Sequence, residues 1–157
     1  MASAALGMFG RLGGSAAGRW LFSRLVCVRA PYFASISPTV MRLEPGRCDV
    51  RLAHRRRVTN HIGTVHAIAL CNAAELAAGL ATDATLPASL RWIPKGMTVR
   101  YQRKAIGTML ATARVPLDPP ANPYGNDLIV PIDVRNEAGD VVLDGEITMW
   151  VTPRAAV

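Results

Sequence analysis

From Val65 to Ala81 the chain is almost continuously apolar, interrupted only by His66, Asn72 and Glu75. The stretch falls short of the roughly 18 to 20 apolar residues that a membrane span needs, so it predicts a buried helix. Thr64 is placed to cap that helix by accepting from the free amides of its first turn. The helix is expected to run to about Thr82, with Asp83 and Pro87 closing it. Beyond Ser89 the helical period gives way to strands. Met97, Val99 and Tyr101 alternate with Thr98, Arg100 and Gln102, the pattern of a half-buried strand. Thr108 to Val115 alternates likewise, and a Pro-rich loop follows from Pro116 to Asp127. Leu128 to Arg135 is expected to pair with Val141 to Thr152 across the turn Asn136 to Asp140. Upstream, Thr39 to Arg57 reads as two short strands about a turn at Pro45 and Gly46. A long helix whose only formal charge is Glu75 must be covered on nearly all sides, by a curved sheet or by a partner chain. The expected class is therefore α+β, an antiparallel sheet wrapped around one long central helix.

With 157 residues and 50% hydrophobic composition, the chain can build a single core. No acidic residue precedes Glu44, while Arg11, Arg19, Arg24, Arg29 and Arg42 do, which resembles an organellar transit peptide. The cluster Trp20, Leu21, Phe22, Leu25 and Val26 favours instead an additional N-terminal helix that belongs to the fold. The expected organisation is a mobile segment 1–18 and one domain over 19–157, in a cytoplasmic protein, or an organellar one if the N-terminus is a transit peptide. Cys27, Cys48 and Cys71 are odd in number and scattered, which argues for a reducing compartment and against a disulfide framework. His54, His61 and His66 stand seven and five residues apart, never one helical turn, and no metal site is expected. The net charge of +7 favours a polyanionic partner: nucleic acid, a membrane surface or a phosphate-bearing cofactor such as coenzyme A. Apart from Arg55 to Arg57 the cations are dispersed, with no RNA-binding aromatic motif or helix-turn-helix pattern, so nucleic acid is not the expected partner.

The run Asn60-His61-Ile62-Gly63-Thr64-Val65-His66, followed by Asn72 and Glu75, resembles the loop and central helix of hotdog-fold acyl-CoA thioesterases. It is similar to the phenylacetyl-CoA thioesterase-like group and to an uncharacterised bacterial branch with comparable stretches at Ala30 to Phe33, Asn60 to Leu70 and Arg91 to Val99. The thioesterase pattern is Asn, Gly three later, His six later followed by glycine, and an acid about fifteen later. Asn60, Gly63, His66 and Glu75 match it, but Ala67 and Ile68 stand where the pattern has glycine. The resemblance implies a hotdog fold that hydrolyses an acyl thioester, of coenzyme A or of a carrier protein, at a dimer-interface site. Coenzyme A would enter as part of the substrate, with no separate cofactor. A homodimer is implied because a five- or six-stranded sheet leaves an edge for a two-fold partner. Pairing of dimers into a tetramer is left open.

Thioester hydrolysis needs a base or nucleophile beside the carbonyl and donors where charge develops on its oxygen. The amides of Val65, His66 and Ala67 at the helix start can supply donors, worth on the order of 3 kcal/mol each in a dry site, with Ala67 as the oxyanion amide. Glu75 borders the apolar face beside Ile68, Asn72 and Gly79, where desolvation suits a base or nucleophile. The alternative is an ion pair with an arginine of the dimer mate. His66 can orient or donate to the acyl carbonyl, or bond a loop carbonyl. Asn60 can fix its loop or touch substrate or water. Gly63, Thr64, Asn72 and Arg100 complete the expected substrate-binding set. Arg55 to Arg57, Lys95, Arg103 and Lys104 join Arg100 as candidates for phosphates. Cys71 reads as core, and Ser89 and Thr98 lack a nucleophile elbow. Two other readings compete. His61 precedes Glu75 by fourteen residues, the histidine–glutamate spacing of hydroxyacyl-carrier-protein dehydratases, although their Pro-Gly at the helix start is absent. A non-catalytic hotdog module that binds acyl chains or a protein partner is the third.

Overall fold

The alternating segments form six strands, seen in a computed structural model that describes residues 3–118 and 125–154. They are β1 (Thr39–Glu44), β2 (Arg47–Leu52), β3 (Leu90–Tyr101), β4 (Met109–Arg114), β5 (Asn126–Arg135) and β6 (Val141–Pro153). All neighbours are antiparallel in a single sheet of order β1-β2-β4-β5-β6-β3. The expected loop from Pro116 to Asp127 includes positions 119–124, which lie outside the described residues. Alternation sets the faces: Val40, Cys48, Val50, Ala111, Val130 and Ile147 point inward and are fully buried.

Three α-helices accompany the sheet, α1 (Ala4–Leu12), α2 (Ala16–Arg29) and α3 (Ala67–Thr85). The inner face closes on α3, which packs chiefly over β2 and β4. Ala73, Ala74, Ala77, Ala78 and Ala81 are fully buried, and their small side chains let the strands approach the helix axis closely. This is the sheet around one helix that the hydrophobic pattern predicts.

The helix start departs from expectation. Thr64 is not its cap, because its hydroxyl accepts from Asn60 Nδ2 at 2.8 Å. The amides of Val65 and His66 are likewise withdrawn from the helix, donating to Ala105 O and Val58 O at 2.8 Å each. The cap passes to His66, whose Nδ1 accepts from Ile68 N, and α3 runs to Thr85 rather than Thr82.

Ahead of the sheet lie two helices rather than one, because Ser15 caps a second start after the Gly13–Gly14 break. Residues 3–18, set apart by the sequence reading, form α1 and the first turn of α2. Leu6, Met8, Phe9 and Leu12 pack against the core, with the Phe9 and Phe22 rings edge to face at 5.0 Å. On α2, Ser23 Oγ accepts from Val40 N at 2.8 Å, so the helix caps the β1 side of the sheet. The opposite margin is β3, with a bulge between Pro94 and Gly96. Among the described residues no helix is long and apolar enough to cross a membrane.

Candidate active site

The loop before α3 is built around Asn60. Its Oδ1 accepts from the amides of Ile62 and Thr64, both at 3.1 Å, while Nδ2 donates to Thr64 Oγ1. Asn60 N and Thr64 O close the same turn at 2.9 Å. Gly63 makes that turn possible, since its φ of 78° lies in the left-handed region that a side chain strains. These bonds aim the chain into the helix with one donor left over. Of the three amides expected to face substrate, those of Val65 and His66 serve the fold, and that of Ala67 has no partner among the described residues. Because His66 Nδ1 accepts from Ile68 N at 3.1 Å, the neutral ring carries its proton on Nε2. The exposed ring therefore offers an N–H donor at the helix start.

Glu75 lies half-buried on the least covered face of α3, a line through Ile68, Cys71, Glu75 and Gly79. It has no ion pair among the described residues. Facing this line are the inward side chains of β3. Tyr101 shares a hydrogen bond with Cys71, hydroxyl to Sγ at 3.3 Å, and the Trp92 ring lies against Gly79. The hydrogen bond to Cys71, and then burial, push the Tyr101 hydroxyl up to about 12. Asn72, one turn before Glu75, is buried. Its Nδ2 donates to Ser35 Oγ at 3.2 Å, and its Oδ1 is buried without a partner among the described residues.

Asn60, Gly63, Thr64, His66 and Ala67 are thus brought together at the helix start, with Glu75 two turns along. His61 is exposed at the tip of the same loop. Arg100 is not part of this group. It extends from the outer face of the sheet and pairs with Asp144, whose carboxyl is held below the usual range by Gln102 and then by Arg100. Lys95 is also on the outer face, 2.9 Å from Asp127 and over the Trp150 ring, so neither cation faces α3. A shallow depression lined by Ile93, Pro94, Lys95 and Trp150 lies there too, away from Glu75.

Two contributors escape sequence reasoning. His54 Nε2 donates to Gly63 O at 3.0 Å while Nδ1 accepts from Gly107 N at 3.1 Å, so this ring ties the Asn60 loop to the loop after β3. Its partners are backbone groups on two separate loops, which no side-chain spacing encodes. Trp92 was legible only as part of a shared stretch, because its contact at Gly79 depends on how β3 crosses the helix.

Comparison with known proteins follows this geometry. A family model described as a domain of unknown function, DUF4442, matches residues 18–151. A structural-genomics crystal structure is 44% identical over 96% of this chain and 99% of its own, with a TM-score of 0.82. A protein of unknown function from Pseudomonas aeruginosa, described as a probable thioesterase, is 22% identical, covering 84% and 93% of the two chains at a TM-score of 0.75. A thioesterase from Haemophilus influenzae is 15% identical, covering 84% and 89%, with a TM-score of 0.72. No curated protein matches the sequence significantly. The last two likenesses carry the fold, a hotdog. The chain belongs to the DUF4442 family, a domain of unknown function, and carries it on the hotdog fold.

Proposed function

We propose that the protein hydrolyses an acyl thioester at a site made by two copies of the chain. The observation that carries this reading is the Ala67 amide at the N-terminus of α3, without a partner among the described residues, next in the chain to His66 with its Nε2–H and on the same helix row as Glu75. An amide and an N–H at the positive end of a helix suit the oxygen of a tetrahedral intermediate. Glu75 then takes a proton from the attacking water and returns it to the departing thiolate as the C–S bond breaks; as a nucleophile it would instead expel the thiolate to form a mixed anhydride, which water cleaves to the free acid, the water's proton going to the thiolate.

One chain cannot assemble both halves. Ala67 and Glu75 are eight residues apart on one helix, about 12 Å of rise, whereas donor and base must each lie about 3 Å from the same carbonyl. A second copy related by a two-fold axis supplies the missing half, pairing the amide of one chain with the Glu75 of the other. The sheet favours this assembly: β1 is covered by α2, while β3 offers twelve residues of edge with Ile93 61% and Tyr101 52% exposed. Arg55 to Arg57, Arg103 and Lys104 sit on the two loops that Val58, Val65, His66 and Ala105 bond to the helix start. There they suit the phosphates of coenzyme A, the form of thioester this reading favours.

The test is thiol release from a panel of acyl-CoA thioesters by purified protein. Glu75→Gln keeps the side chain's size, and kcat is expected to fall at least roughly a hundredfold, about 2.7 kcal/mol of barrier, with folding intact. Near-wild-type kcat in Glu75→Gln would retire the assignment.

A further inference from the structure

We propose that the trough between α3 and β3 is an acyl compartment closed at both ends, by Trp92 on Gly79 and by Tyr101 on Cys71, and so selects thioesters of compact acyl groups. The inference rests on the reading that places the reacting carbonyl at Glu75. Along α3 the half-buried residues Cys71, Glu75 and Gly79 are spaced four apart, so they form a nearly straight line on one side of the helix. Opposite them β3 turns Trp92, Met97, Val99 and Tyr101 inward, and Met97 and Val99 are half-buried against the core as an apolar floor.

Both ends of this floor are blocked. A Cβ built on Gly79 would lie 2.9 Å from Trp92 Cη2, so the indole occupies the space a side chain would take and presses on the helix backbone. At the other end the Tyr101 hydroxyl reaches across to Cys71 Sγ at 3.3 Å. Glu75 stands midway, four residues from each stop, or about 6 Å of helical rise either way. An extended alkyl chain with carbon–carbon bonds of about 1.5 Å advances about 1.25 Å per carbon, so 6 Å holds about five carbons. The result does not depend on which way the acyl group lies. Straight chains of about four to six carbons fit, and chains of twelve or more must displace an aromatic ring.

Two measurements on the full chain separate the compartment from the chemistry. One is kcat/KM for straight-chain acyl-CoA thioesters from two to sixteen carbons. The other is the Kd of the corresponding S-alkyl-CoA thioethers, which cannot be hydrolysed. Wild type is expected to favour four to six carbons over twelve by at least roughly tenfold in both. Trp92→Ala is expected to move the optimum to longer chains, and Tyr101→Ala opens the other end and provides a second variant if the first fails to fold. A length profile that is flat or peaks at twelve carbons or more, or one that neither substitution moves, would overturn the compartment while leaving hydrolysis standing. Thioether binding that peaks at four to six carbons and lengthens in Trp92→Ala, without hydrolysis of any thioester, would uphold the compartment and sink the catalytic reading. Failure of wild type to bind any thioether at millimolar concentration would overturn the compartment.

Discussion

At the scale of single residues, the backbone N–H proposed as the oxyanion donor can be removed cleanly. Ala67 is the first residue of α3, where proline fits because the helix makes no use of that N–H, and His66 before it already has the extended conformation proline prefers (ψ 137°). Ala67→Pro therefore deletes one oxyanion donor while keeping the helix. Turnover is expected to fall roughly 10²- to 10³-fold with an unchanged circular dichroism spectrum. Normal kcat in that variant would mean the amide does not face the carbonyl. A second residue-scale expectation concerns alkaline stability. Burial first, then the neighbouring Asp49, raise the Cys48 thiol far above its ordinary 9.0. A group whose folded value is raised contributes stability that is present below its unfolded value and lost as pH climbs toward the folded one. Stability should thus decline above about pH 9, with Cys48 responsible for at most about 1.4 kcal/mol per pH unit. Thermal melts from pH 8 to 11 check this, and Cys48→Val should flatten the slope.

At the scale of elements, the Asn60 loop and the loop after β3 are held together by one imidazole. His54→Leu removes both of its bonds, to Gly63 O and Gly107 N, and is expected to cost about 2 kcal/mol, or about 4–8 °C in Tm. Amide exchange should quicken at Gly107, whose N–H loses its acceptor. An unchanged Tm with unchanged exchange would show that the bridge contributes nothing. The elements differ in how legible they were. Runs such as Val65–Ala81 and Met97–Gln102 announce a helix and a strand because burial on one side writes a period into the sequence. The helix starts two residues later than expected because Thr64, a good cap by type, is taken by Asn60, and because the partners of Val65 N and His66 N lie in loops that pair only in three dimensions. Arg100 lies apart from the helix start for a reason that was equally hard to read. A cation on an alternating strand has a definite face, but its partner Asp144 comes from β6, forty-four residues away.

At the scale of the whole molecule, the sheet has one margin sheltered and one open. Ser23 of α2 occupies the Val40 amide on β1, and the twelve-residue β3 is left as the long free edge among the described elements. In the proposed dimer, joining two such edges would continue the sheet and bring the half-buried faces of two α3 helices together, uniting Ala67 of one chain with Glu75 of the other. The 12 Å between those residues on one helix makes this a strict requirement, and it can be tested with two inactive proteins. Ala67→Pro and Glu75→Gln chains, differently tagged, are co-expressed and the doubly tagged dimer is compared with each parent. The doubly tagged dimer should show about half of wild-type activity, since each mixed dimer rebuilds one of its two sites. Recovery at that level from parents that are each nearly inactive is the expected result. Mixed dimers no more active than their parents, or a monomer with full activity, would contradict the shared site.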